Sequence, residues 1–136
     1  MRIILVMFLS FIILGCSSKE EPKPNYGNFE FMGMAKKGDP NLKIILPGSI
    51  SETVVTCSDF SPPCRYGMKA IIKNIPLIAL YYDSQEEALE VALRNKAYIS
   101  RNWVLDEVTG EPILERFVVK YLNAVKASDI KKTPAK

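Results

Sequence analysis

The sequence predicts an α+β domain, a small mixed β-sheet with two amphipathic helices in a strand-helix-strand-helix order through its C-terminal half. Three observations carry this. Leu77-Ile78-Ala79-Leu80-Tyr81-Tyr82 is a continuous apolar run without alternation, the pattern of a strand buried on both faces. Ser84-Gln85-Glu86-Glu87 has the spacing of a capping box, with Ser84 at the N-cap and Glu87 three residues on. Leu114, Phe117, Val118, Tyr121, Leu122 and Val125 recur at helical steps, so one face of a helix there is apolar.

In chain order, Ser17 to Asn28 mixes charge with Pro and Gly and has nothing to bury, which predicts a flexible tether. The domain is expected over 29–127. Phe29-Glu30-Phe31-Met32 alternates and is expected as a first strand. Lys36 to Asn41 is turn chemistry. Leu42 to Leu46 and Glu52 to Cys57 are short β-branched runs on either side of Pro47-Gly48-Ser49, which predicts an antiparallel hairpin between them.

Met68 to Ile72 is the next expected strand, broken by Asn74-Ile75-Pro76. In the helix expected from Ser84 to about Asn95, Ala88, Leu89, Ala92 and Leu93 form the buried stripe, and Glu90 and Arg94 make an i, i+4 pair on the wet side. Tyr98 to Leu105 alternates as a strand, with Ile99, Trp103 and Leu105 expected inward and Tyr98, Ser100 and Asn102 outward. A strand-helix-strand crossover is expected to leave its strands parallel. Pro112 suits a helix's first turn, and residues 128–136 read as a disordered basic tail.

The first sixteen residues stand apart. Arg2 precedes a run from Ile3 to Leu14 that is apolar except for Ser10, too short for the roughly 20 residues a spanning helix needs. It has the regions of a secretory signal peptide. Its end, Ile13-Leu14-Gly15-Cys16, resembles the lipobox of bacterial lipoproteins, with Leu14 where that family usually has Ala or Ser. The resemblance implies a signal peptide over 1–15, removal at Gly15, and a lipidated Cys16 opening the tether of 16–28. It therefore implies a membrane partner through the N-terminal lipid and a periplasm-facing location. Ser17 rather than Asp after the cysteine favours the outer membrane over the inner.

With Cys16 taken by the lipid, Cys57 and Cys64 remain, and an even remainder in an exported chain reads as a disulfide. The segment between them carries Pro62 and Pro63, and closing it is worth about 2.5 kcal/mol in the loop-entropy model. A redox pair would more often be C-x-x-C at a helix start.

The net charge of +3 is concentrated at the C-terminus, in Lys126, Lys131, Lys132 and Lys136 against Asp129, so a nucleic-acid partner is not expected. With no histidine and two spare thiols, neither a closed zinc site nor serine-histidine catalysis is expected. Metal and cofactor are both expected to be none. The acidic groups Asp83, Glu86 and Glu87, and Asp106, Glu107, Glu111 and Glu115, belong to helix starts and a turn. Tyr66, Tyr81, Tyr82, Tyr98 and Trp103 are core candidates before they are stacking platforms. The order of elements is similar to that of small envelope modules of the ferredoxin-like and SPOR types, a likeness of order alone.

By exclusion the expected function is a membrane-anchored binding or scaffolding module for an envelope protein or peptidoglycan partner. The alternative is an envelope enzyme or thiol-disulfide redox factor. Tyr98, Ser100 and Asn102, which lie opposite the inward set of their strand, with Arg101 at the edge, are the expected binding surface.

Overall fold

The structure is a computed structural model that describes residues 23–130. Six strands form one sheet in the order β1-β2-β3-β5-β4-β6, antiparallel in every ladder. They are β1 (Lys43–Ile45), β2 (Tyr66–Ile72), β3 (Ile75–Tyr81), β4 (Tyr98–Ser100), β5 (Trp103–Asp106) and β6 (Val125–Lys126). Three helices, α1 (Asn28–Gly38), α2 (Gln85–Arg94) and α3 (Pro112–Tyr121), complete the α+β architecture. Cys57–Asp59 and Ala127–Asp129 are single 3-10 turns.

The sheet lies between two apolar layers. Phe31 and Ala35 of α1 join Leu114, Phe117 and Val118 of α3 over Ile72, Leu77, Trp103 and Leu105. On the other face Ala88, Val91 and Ala92 of α2, with Val55 and Cys64, cover Leu80, Tyr82, Ile99 and Val104. Double coverage is why the run from Leu77 reads apolar without alternation. The helix signals hold at α2 and α3: Ser84 Oγ accepts the Glu87 N–H, and Pro112 stands in the first turn of α3.

The β expectations for the first half need correction. Residues 29–32 are helical, because Phe31, Ala35 and Gly38 fall at i, i+4 and i+7 and all three are buried. Four alternating residues cannot separate that pattern from a strand. A Cβ on Gly38 would stand 2.5 Å from the Tyr121 ring and 2.6 Å from Phe117, so glycine lets the end of α1 meet α3. Glu52 to Cys57 forms no strand: Val54 and Val55 pack into the α2-side core, and β1 pairs with β2 instead.

Lys73 and Asn74 do not simply break a strand. Both take left-handed φ, +51° and +65°, which is the requirement of a two-residue type I′ hairpin. Ile72 thereby pairs with Ile75, and Pro76 enters β3, beyond the Ile78 to Tyr81 stretch where β5 pairs.

Tyr98 to Leu105 is likewise two strands. Arg101, at φ +57°, turns the chain so that Tyr98 faces Leu105 and Ser100 faces Trp103. The turn changes the parity of the alternation. Tyr98, Trp103 and Leu105 consequently share the α1 and α3 layer, whereas Ile99 joins the α2 layer. Since β5 runs antiparallel to both β3 and β4, those two strands run the same way but with β5 inserted between them.

At its end α3 stops short of the predicted stripe. Leu122 caps it, Asn123 turns left-handed at φ +51°, and the Ala124 N–H reaches the Val118 carbonyl. Val125 is thus an exposed residue of an edge strand.

Candidate functional site

The expected binding residues lie at the end of the sheet where β4 turns into β5, and three of the four are interior. Asn102 is fully buried. Its Oδ1 accepts the Tyr26 N–H at 2.8 Å and its Nδ2 donates to the Tyr82 carbonyl at 3.0 Å. Ser100, also buried, donates to the Leu122 carbonyl. Tyr98 is 8% exposed and donates its hydroxyl to Glu115 at 3.0 Å. Burial, then that bond and the charges of Glu115 and Asp129, raise its pKa. The outward face expected from alternation is therefore corrected to an inward one, as the β4–β5 turn requires.

Arg101 is partly exposed. It lies 4.8 Å over the Tyr26 ring and donates to the Pro24 carbonyl at 3.1 Å. Gln85 Nε2 reaches the Lys23 carbonyl at 2.6 Å, Asn25 Nδ2 the Asp83 carbonyl at 2.9 Å, and the Trp103 indole the Tyr26 carbonyl at 3.1 Å. Residues 23–26, expected within the tether, are thus a strap bound along this end. The sequence signal for it was the single aromatic, Tyr26, in an otherwise polar stretch. Beside the strap runs a shallow apolar groove along β6, lined in part by Tyr98, Val119, Val125 and Ile130, and Arg101 lines its continuation.

Cys57 and Cys64 are disulfide-bonded. Cys64 is buried in the α2-side core. The bridged loop is also tied down by the Tyr82 hydroxyl, which donates to the Pro62 carbonyl at 2.9 Å, and by Arg94, which donates to the Ser61 carbonyl. Burial, with Glu87 nearby, pushes the Tyr82 pKa up to about 12. Of the other aromatic candidates, Trp103 is fully buried and stacked on Phe31 at 4.2 Å, while Tyr66 stays partly exposed and stacked on Tyr81 at 4.7 Å. Burial, then the Tyr81 hydroxyl, raises the Tyr66 pKa.

The opposite end of the sheet carries features that local sequence marks only as turns. Asp39 follows α1 and is 6% exposed. One carboxylate oxygen accepts the Asn41 N–H at 3.1 Å and the other the Lys73 N–H at 2.8 Å, so the β2–β3 turn is held to the end of α1. Around that turn lie two depressions of about 460 and 450 Å³ that share Lys73. Lys43 lines the first, and Arg116 and Lys120 line the second. All four cations are exposed. Asp39 is the one carboxylate of the lining, and its oxygens are already bound by backbone N–H groups. Ile113, 45% exposed, adds apolar surface with Phe117 and Tyr121.

Cys16 lies outside the described residues, as do 1–15 and 131–136. Within the described part, the 3-10 turn at Ala127–Asp129 and the buried Ala127 correct the expectation of disorder from residue 128. Among the described residues no three His, Cys, Asp or Glu side chains are grouped to hold a metal ion, and no helix is long and apolar enough to cross a membrane. No protein-family model matches the chain, and neither a curated protein nor a solved structure matches it.

Proposed function

We propose that this chain is a lipid-anchored protein of the bacterial envelope, carrying a binding or scaffolding domain for a protein partner or the cell wall on the periplasmic side, with the outer membrane as its more fitting location. The observation that carries the reading is the placement of Cys16, in the Ile13-Leu14-Gly15-Cys16 sequence, seven residues before Lys23, whose carbonyl is bound by Gln85. A single acyl chain holds a protein to a membrane only reversibly, and stable anchoring takes more than one such signal. Resemblance to the lipoprotein family implies several chains on Cys16. The disulfide suits an oxidising compartment. It staples the loop over α2, which supports the structural reading of Cys57 and Cys64 over the redox alternative.

Mass spectrometry of the membrane fraction tests this. The wild-type chain is expected to begin at an acylated Cys16, and Cys16→Ala to accumulate as full-length precursor. The same unacylated mature chain in both strains would remove the anchor.

A further inference from the structure

The anchor decides which end of the domain a partner can reach. From Cys16 to Lys23 the chain has seven Cα steps, which at most span about 25 Å when fully extended. A domain of this size is roughly 34 Å across by the usual scaling of the radius of gyration with chain length. Lys23 is fixed at the end of the sheet where α2 starts and β4 turns into β5. The β2–β3 turn lies at the other end of β3, a seven-residue strand about 23 Å long. Turning that far end onto the bilayer would lift Lys23 by at least the length of β3 and stretch the tether to nearly its full reach.

Resting on the lipid-anchor reading, we propose that the far end of the sheet, the cationic cleft around Lys73, is the docking surface, and that it receives an acidic, extended polypeptide segment of a partner protein. Lys43, Lys73, Arg116 and Lys120 line the two depressions that share Lys73, and among the described residues none of them is within ion-pair distance of a carboxylate. Lys120 lies 5.1 Å over the Tyr121 ring, and cations left without carboxylate partners on one surface complement an acidic ligand and steer it. Ile113 and the Phe117 and Tyr121 rings supply apolar contact beside the charges. The turn itself is preorganised, since Asp39 holds the Lys73 N–H, so little ordering opposes binding. The groove along β6 lies on the side edge of the sheet, and nothing in the structure shows what covers it.

The test uses the acylated mature protein in nanodiscs, with a decaglutamate peptide as probe and amide NMR as readout. Mass spectrometry first establishes acylation, so failure of the anchor is seen separately. Nitroxide on the lipid headgroups is expected to broaden the amides of Lys23, Asn25, Tyr26 and Arg101 and to leave Lys73 and Asn74 sharp. The peptide is expected to shift Lys43, Lys73, Arg116 and Lys120. Lys73→Glu with Arg116→Glu should weaken it about tenfold or more, and Lys126→Glu should change it little. Arg116→Glu with Lys120→Glu repeats the comparison without touching the turn. Equal broadening at both ends, equal losses in all variants, or retention on purified cell wall that neither double variant changes would overturn the proposal.

Discussion

The two ends of the sheet are held together by different physics. At the end closed by the strap, order comes from polar groups that bind backbone across long sequence distances: Asn102 to Tyr26 and Tyr82, Gln85 to Lys23, Arg101 to Pro24. At the far end, α1 meets α3 through aromatic packing on Gly38, and one carboxylate fixes the turn. The first end spends its polar side chains internally and leaves little free for a ligand. The second binds its turn with the Asp39 carboxylate and leaves its lysines and arginine facing water. A residue's being polar and near a turn therefore says little about binding until its partners are known.

Asn102→Ala is the sharpest way to break this contrast. It leaves the buried Tyr26 N–H and Tyr82 carbonyl without their side-chain partner, at roughly 1–3 kcal/mol for each buried group. A loss of about 2–4 kcal/mol in denaturant unfolding is expected, with faster amide exchange at Asn25, Tyr26 and Gly27 and unchanged peptide binding at the far end in the folded fraction. A stability change within about 0.5 kcal/mol, typical of plain surface sites, would show that the strap does not depend on it.

Alkaline titration probes the bridged loop beside the strap end. The Tyr82 pKa stands at about 12 in the folded chain against about 10 unfolded. A raised folded pKa means that the unfolded state ionises first, so stability is full below pH 10 and falls as pH rises toward 12. The drop is on the order of 2 kcal/mol. Tyr82→Phe removes the Pro62 bond, lowering stability at neutral pH, and should flatten this alkaline slope; a slope unchanged in the variant would place its origin in Tyr66 or Tyr98.

The smallest effect tests the far-end helix. Gly33 lies inside α1, and a methyl group added there would meet nothing within 4 Å, so Gly33→Ala should raise stability by about 0.5–1 kcal/mol through helix propensity. Destabilisation in thermal unfolding would mean that α1 is strained against α3.

Much of the C-terminal half was legible in the residues because its signals are local. Ser84 and Glu87 cap α2 within one turn, and Pro112 with the Leu114, Phe117 and Val118 stripe describes α3 over its own length. The first half was less legible. Phe31, Ala35 and Gly38 acquire their meaning only against Phe117 and Tyr121 of a distant helix, and Val55 buries itself without pairing. The candidate site failed for a related reason. Alternation assigns faces only while a strand stays straight, and Arg101 turns left-handed in its middle.

By itself the sequence determined the α+β class, the two strong helices and the pairing of Cys57 with Cys64, because each depends on residue spacing along a short stretch. Tertiary structure alone decided that Tyr26 closes one end of the sheet, that Tyr98, Ser100 and Asn102 turn inward, and that Lys43, Lys73, Arg116 and Lys120 meet at the other end. These are contacts between residues tens of positions apart. Only the packed sheet and its helices bring them within reach, and no local periodicity encodes that.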